Sequence, residues 1–145
     1  MDKSMIQSLS FAEAYDRART NPGVTLFTIS IVTADRHFVT RAYTSHEEVY
    51  PLGGLKPVGA VNPNAPTAYH PNRAAIVAVF PEQELILSLG GSAGINVPVV
   101  ENGELIAAVN FFHDENVYSP AAVVEAEAIT QALIPTIHMF RKSQH

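Results

Sequence analysis

With 145 residues, 47% of them apolar and 16% charged, the chain is sized for one domain, 1–145, with a real core and no extended disorder. The formal charge of −5, with Lys and Arg scattered and only Arg141-Lys142 adjacent, excludes the cationic footprint that nucleic-acid binding needs. The absence of cysteine excludes disulfides, thiolate metal sites, a cysteine nucleophile and a chromophore attached through sulfur.

Met1-Asp-Lys-Ser-Met-Ile-Gln7 lacks the basic and continuous apolar regions of a signal peptide, and no run approaches ~18 apolar residues. The expectation is a soluble cytoplasmic chain without membrane association. Charged residues are scarce against the usual ~25%, which points to surface buried against a partner such as a second copy.

In chain order, Ser10-Phe-Ala-Glu13 is a capping box that starts a helix running to about Thr20, and Asn21-Pro-Gly23 ends it. Val24–Thr33 and His37–Thr44 read as two strands of a hairpin around Ala34-Asp-Arg36. Strict alternation on the second strand puts Val39, Arg41 and Tyr43 on one face and Phe38, Thr40 and Ala42 on the other. Pro51, Pro57, Pro63, Pro66, Pro71 and Pro81 then forbid a long regular element between Ser45 and Pro81, except for a short helix near Arg73. Such a stretch is either a binding lid or an ordered, passive cover. Glu82–Leu89 is a short helix, broken by Gly90-Gly-Ser-Ala-Gly94, whose glycines let the chain pass close to a sheet.

Ile95–Val100 and Leu105–Phe112 form a second hairpin around Asn102-Gly103, a two-residue turn of the I′ kind. Simple pairing sets Asn96 opposite Val109 and sends Asn96 and Asn110 to opposite faces, unless a bulge intervenes. Pro98 cannot donate to a ladder, so its N–H side belongs at an edge or a bulge. Ser119-Pro120 starts the last helix, with Ala122, Ala126, Ile129, Leu133, Ile137 and Phe140 along one stripe. Pro135 predicts a kink or a break near Gln131. The small residues of that stripe admit another helix, either the first helix or a symmetry mate.

Polar chemistry concentrates between Arg41 and Pro57. Arg41 can grip a ligand carboxylate or phosphate bidentately, or pair with a nearby acid. Tyr43 adds a hydroxyl contact from the same predicted face. Ser45, His46 and Tyr50 offer pocket hydrogen bonds, with His46 otherwise a plain loop residue. Lys56 after Gly53-Gly54 suggests a phosphate nest, although the phosphate-loop spacing is absent. No metal is expected: His113, Asp114 and Glu115 are consecutive and cannot readily converge, and no His-x-x-x-His pair exists. Ser92 is not in a nucleophile-elbow context.

The element order and two passages resemble the GAF domain, in particular small stand-alone bacterial GAF-like proteins. One passage is Arg41-Ala-Tyr-Thr-Ser-His46 through Tyr50-Pro-Leu-Gly-Gly-Leu-Lys-Pro57. The other is Phe80-Pro-Glu-Gln-Glu-Leu-Ile-Leu-Ser-Leu-Gly90 through Ile95-Asn-Val-Pro-Val99 and Val109-Asn-Phe-Phe-His113. The resemblance implies an α+β fold, with an antiparallel sheet of five or six strands. It places both terminal helices on one face and a ligand cavity on the other. It also implies a homodimer through the terminal helices.

Functionally it implies a free-standing small-molecule sensor or carrier acting in trans, without cofactor. Arg41, Tyr43, Ser45, His46, Tyr50, Lys56 and Asn96 are the ligand-binding candidates. The alternative is a cysteine- and metal-independent isomerase or hydrolase acting on a small polar or anionic metabolite, with His46, Tyr50 and Lys56 as acid/base groups. The Asn-Lys-Phe-Asp-Glu signature of cyclic-nucleotide-binding members is absent.

Overall fold

The structure is a computed structural model and describes residues 8–57 and 66–143, with the side chains of Lys56 and Pro57 also outside the description. The chain opens with α1 (Phe11–Thr20), which starts as expected. Glu13 N donates to Ser10 Oγ and Ser10 N to Glu13 Oε1, so both ends of the capping box are made. Strands β1 (Leu26–Val32) and β2 (Phe38–Thr44) follow as a hairpin.

The proline-rich interval is not wholly irregular. It contributes β3 (Gly53–Pro57), which ends on a proline, and β4 (Ala68–His70) and α2 (Arg73–Val79), each short enough to fit between prolines. Then come α3 (Gln83–Ser88), β5 (Ala93–Glu101), β6 (Glu104–His113) and α4 (Pro120–Ser143).

Among the described residues the strands form one antiparallel sheet in the order β3-β2-β1-β6-β5-β4. The two longest strands meet at the Asn102-Gly103 turn, where φ values of +54° and +78° suit a type I′ turn. β4 pairs only with Gly94–Asn96, so no described strand flanks β5 on that side beyond Asn96. Pro98 lies there, where a missing N–H costs least.

Helices α1 and α4 cover one face. Phe27, Ile29 and Ile31 of β1, Val109 and Phe111 of β6, and Ile95, Val97 and Val99 of β5 are buried beneath them. The α4 stripe Ala122, Ala126, Ile129, Leu133 and Ile137 packs into this same core. Each fully buried Val, Leu, Ile or Phe side chain here contributes about 1.5–3 kcal/mol. The stripe therefore serves the chain's own sheet and α1 rather than a symmetry mate. Arg17–Glu125 (3.0 Å) and Leu9 N to Ala132 O (2.9 Å) tie the N-terminal segment to α4.

Helix α4 runs through Pro135 without the expected break. Pro135 is on the exposed side, where water can satisfy the carbonyl one turn back. No helix among the described residues is long and apolar enough to cross a membrane.

The opposite face, called distal here, is covered at one end by α2 and α3. Ile76 and Ile86 from those helices pack with Leu26, Tyr50 and Phe112. Gly94 permits the close approach: a Cβ there would lie 2.9 Å from Phe112 Cδ1 and 3.4 Å from Ile76 Cδ1.

Candidate functional site

The distal face is built from rungs that cross the sheet. Two successive rungs carry the polar chemistry, and register decides which residues they hold. Next to the apolar rung Leu26–Phe112–Gly94 lies Thr44–Thr28–Asn110–Asn96–Ala68. Asn96 Nδ2 donates to Asn110 Oδ1 at 2.7 Å, and Asn110 Nδ2 to Thr28 Oγ1 at 3.4 Å. The following rung is Arg41–Ser30–Ala108–Pro98, whose small central residues leave space above the sheet.

Two bulges set this arrangement, and both overturn a face expected from strict alternation. The register between β5 and β6 shifts between Val99 and Val100, so Ile106 is passed over and Asn96 pairs with Asn110, not Val109. The two asparagines therefore share the distal face. Likewise, Ile29 pairs with Tyr43 but Ser30 with Arg41, leaving Ala42 as the extra residue. Arg41 points to the distal face and Tyr43 to the helical face. There Tyr43 joins Phe11, Tyr15 and Phe27, with ring centroids 6.0–6.2 Å apart. Tyr43 is thus separated from Arg41 by the sheet itself.

Arg41 is the centre of a clamp between the sheet and its cover. Its Nη1 donates to the Pro51 carbonyl at 2.8 Å, and its Nη2 donates to Glu82 Oε1 at 3.0 Å. The Tyr50 ring lies under the guanidinium, with Cζ 3.8 Å from the centroid. Tyr50 Oη donates to the same Glu82 oxygen at 2.7 Å. Glu82 occupies the N-cap position of α3 but makes no capping bond, because its carboxylate turns to Arg41 and Tyr50.

Burial, and then the hydrogen bond to Glu82, push the Tyr50 hydroxyl well above the ordinary tyrosine range; the Arg41 charge offsets this only in part. Arg41 Nε is buried without a hydrogen-bond partner. Beside the clamp a cavity of about 220 Å³ is lined by Ser30, Val39, Arg41, Leu52, Gly53 and Glu82, among others.

The remaining expected residues have separate fates. Ser45 extends the β1–β2 pairing, its N–H donating to Phe27 O and its Oγ accepting from Phe27 N, both at 2.9 Å. His46 Nδ1 lies 2.8 Å from Ser45 Oγ, and its carbonyl accepts from Val49 and Tyr50. That turn delivers Tyr50 to the clamp. The Lys56 side chain lies outside the described residues. Asn96 is in the polar rung.

Sequence reasoning missed Thr28, Ser30 and Glu82. Thr28 and Ser30 are single polar residues in an apolar strand, and their even spacing is the one signal that marks them. Glu82 is 41 residues from Arg41, and nothing local reveals the pairing.

Chemically the arrangement suits recognition. It offers a guanidinium, amide donors and acceptors, hydroxyls and a cavity on one face. Among the described residues no three His, Asp or Glu side chains converge to hold a metal ion.

Neither a family model nor a curated protein sequence matches the chain. Solved structures do match in fold. The GAF domain of a two-component sensor histidine kinase from Bacillus halodurans superposes with a TM-score of 0.72 at 9% identity, covering 92% of this chain and 95% of that one. The GAF domain of a phosphoenolpyruvate-protein phosphotransferase from Acinetobacter gives 0.64 at 13% identity, covering 88% and 77%. A GAF domain/HD domain protein from Geobacter sulfurreducens gives 0.62 at 14% identity, covering 90% and 95%. The chain has a GAF-like α+β fold.

Proposed function

We propose that this chain binds a small polar molecule on the distal face of its sheet and works as a sensor or carrier. One observation carries the reading: Thr28, Asn110 and Asn96 line a face that also holds Arg41 and an adjoining cavity. A sheet face serving only as core would be apolar, because buried amides cost free energy unless their bonding is completed. One of the GAF-like neighbours is, by its description, a domain of a two-component sensor histidine kinase, which agrees with a sensing role.

Acid/base catalysis gains no comparable support. The Tyr50 hydroxyl is held protonated far above neutrality, and His46 is engaged by Ser45.

A thermal-shift screen of polar metabolites tests the proposal. A ligand present at ~100 Kd stabilises the protein by about 2.7 kcal/mol. The stabilisation shrinks in Asn96→Ala, which removes an amide from the rung. A screen in which Asn96→Ala responds to every hit as the native chain does would place binding elsewhere.

A further inference from the structure

We propose that Glu82 is an internal stand-in for the ligand, and that the ligand is a carboxylate which takes its place on Arg41. The inference rests on the distal-face reading above and names both the chemical class of the ligand and the way its binding is felt.

The geometry of the clamp supports it. Among the described residues Arg41 donates to two acceptors, the Pro51 carbonyl from Nη1 and Glu82 Oε1 from Nη2. Its Nε is buried and lacks a partner. A guanidinium binds carboxylate best with two parallel N–H···O bonds. The Nε/Nη2 edge is one such fork, and Glu82 reaches it only at Nη2. A free carboxylate taking both positions supplies the bond that Glu82 leaves unmade, while the Pro51 bond stays. The cavity beside Arg41, about 220 Å³, has room for a small acid.

Exchange also has a mechanical consequence. Glu82 begins α3, and Ile86 of α3 packs with Leu26, Tyr50 and Phe112 at the covered end of the sheet. Releasing Glu82 from Arg41 and Tyr50 removes two polar bonds that tie the N-terminus of α3 to the sheet and its cover. Ligand charge is thereby converted into a changed position or mobility of α3. Glu82 competes with the ligand, so the empty protein holds its site closed.

The test is a titration of isotopically labelled protein with sodium acetate, followed by NMR at the Arg41 Nε–H and the backbone amides of Gly53, Gly54 and α3. Sodium chloride controls for ionic strength and acetamide serves as the neutral isostere. Acetate is expected to move the Nε–H downfield together with the α3 amides, while chloride and acetamide leave them in place. Glu82→Gln keeps an oxygen acceptor but loses the competing charge, so its acetate midpoint is expected to fall roughly ten-fold. Tyr50→Phe, which removes only one bond to Glu82, lowers the midpoint in the same direction and serves if Glu82→Gln does not fold.

An unchanged midpoint in the folded variant, or a native protein whose Nε–H ignores acetate, overturns the proposal. Hits from the metabolite screen that depend on Asn96 but carry no acid group would leave the distal-face site standing and remove only the carboxylate exchange.

Discussion

Arg41 shows how one side chain can be both structural and available for recognition. Read from sequence, it either grips a ligand or pairs with a nearby acid. In the structure it joins the sheet, the Pro51 carbonyl and Glu82. Arg41→Ala is therefore expected to cost about 1.5–3 kcal/mol, the scale of hydrogen bonds to charged groups, in addition to abolishing acid binding. Urea denaturation checks this; an unchanged midpoint would mean that the clamp contributes nothing.

His70 carries the pH prediction. Burial lowers its pKa, and its ring meets Phe80 edge-on at 5.2 Å. Protonation is thus harder in the folded chain than in the unfolded one. The His70 contribution is fully present above the unfolded pKa of about 6.5 and is lost as pH falls from there toward the folded value. Melting temperatures between pH ~7.5 and ~5 should decline less in His70→Gln than in the native chain. Parallel declines would remove His70 from the account.

At the scale of elements, the sequence was legible wherever a local rule acts alone. The capping box at Ser10-Glu13, the Asn102-Gly103 turn and the Ser119-Pro120 start each depend on a few neighbouring residues. Face assignments failed where one extra residue entered a strand. Ala42 and Ile106 are the residues passed over, and neither has a side chain that announces a bulge. Their effect is large, because each reverses the side chains beyond it and so decides that Asn96 and Asn110 meet and that Tyr43 and Arg41 part.

The stripe of α4 marks it as amphipathic in the sequence but does not reveal which surface it covers. Ala126 is fully buried in the chain's own core. Ala126→Glu places an unpaired charge there and is expected to abolish cooperative folding, rather than to split a dimer. A folded Ala126→Glu protein with altered mass by light scattering would reverse that conclusion.

For the molecule as a whole, the element order followed from patterning and the α+β architecture from the resemblance to GAF domains, while the site followed from long-range register and from Glu82, which no local pattern ties to Arg41. The inner stripe of α4 is occupied by the chain's own core, while Val124 and Met139 on its outer side are exposed.

The central claim is that the distal face binds a small molecule. Native mass spectrometry of freshly purified protein, with denaturing analysis of whatever is released, tests it most directly. The account predicts a small acidic compound bound to the native chain and absent from Arg41→Ala. A chain that is bare in every preparation, or a compound retained equally by Arg41→Ala and Asn96→Ala, would contradict it.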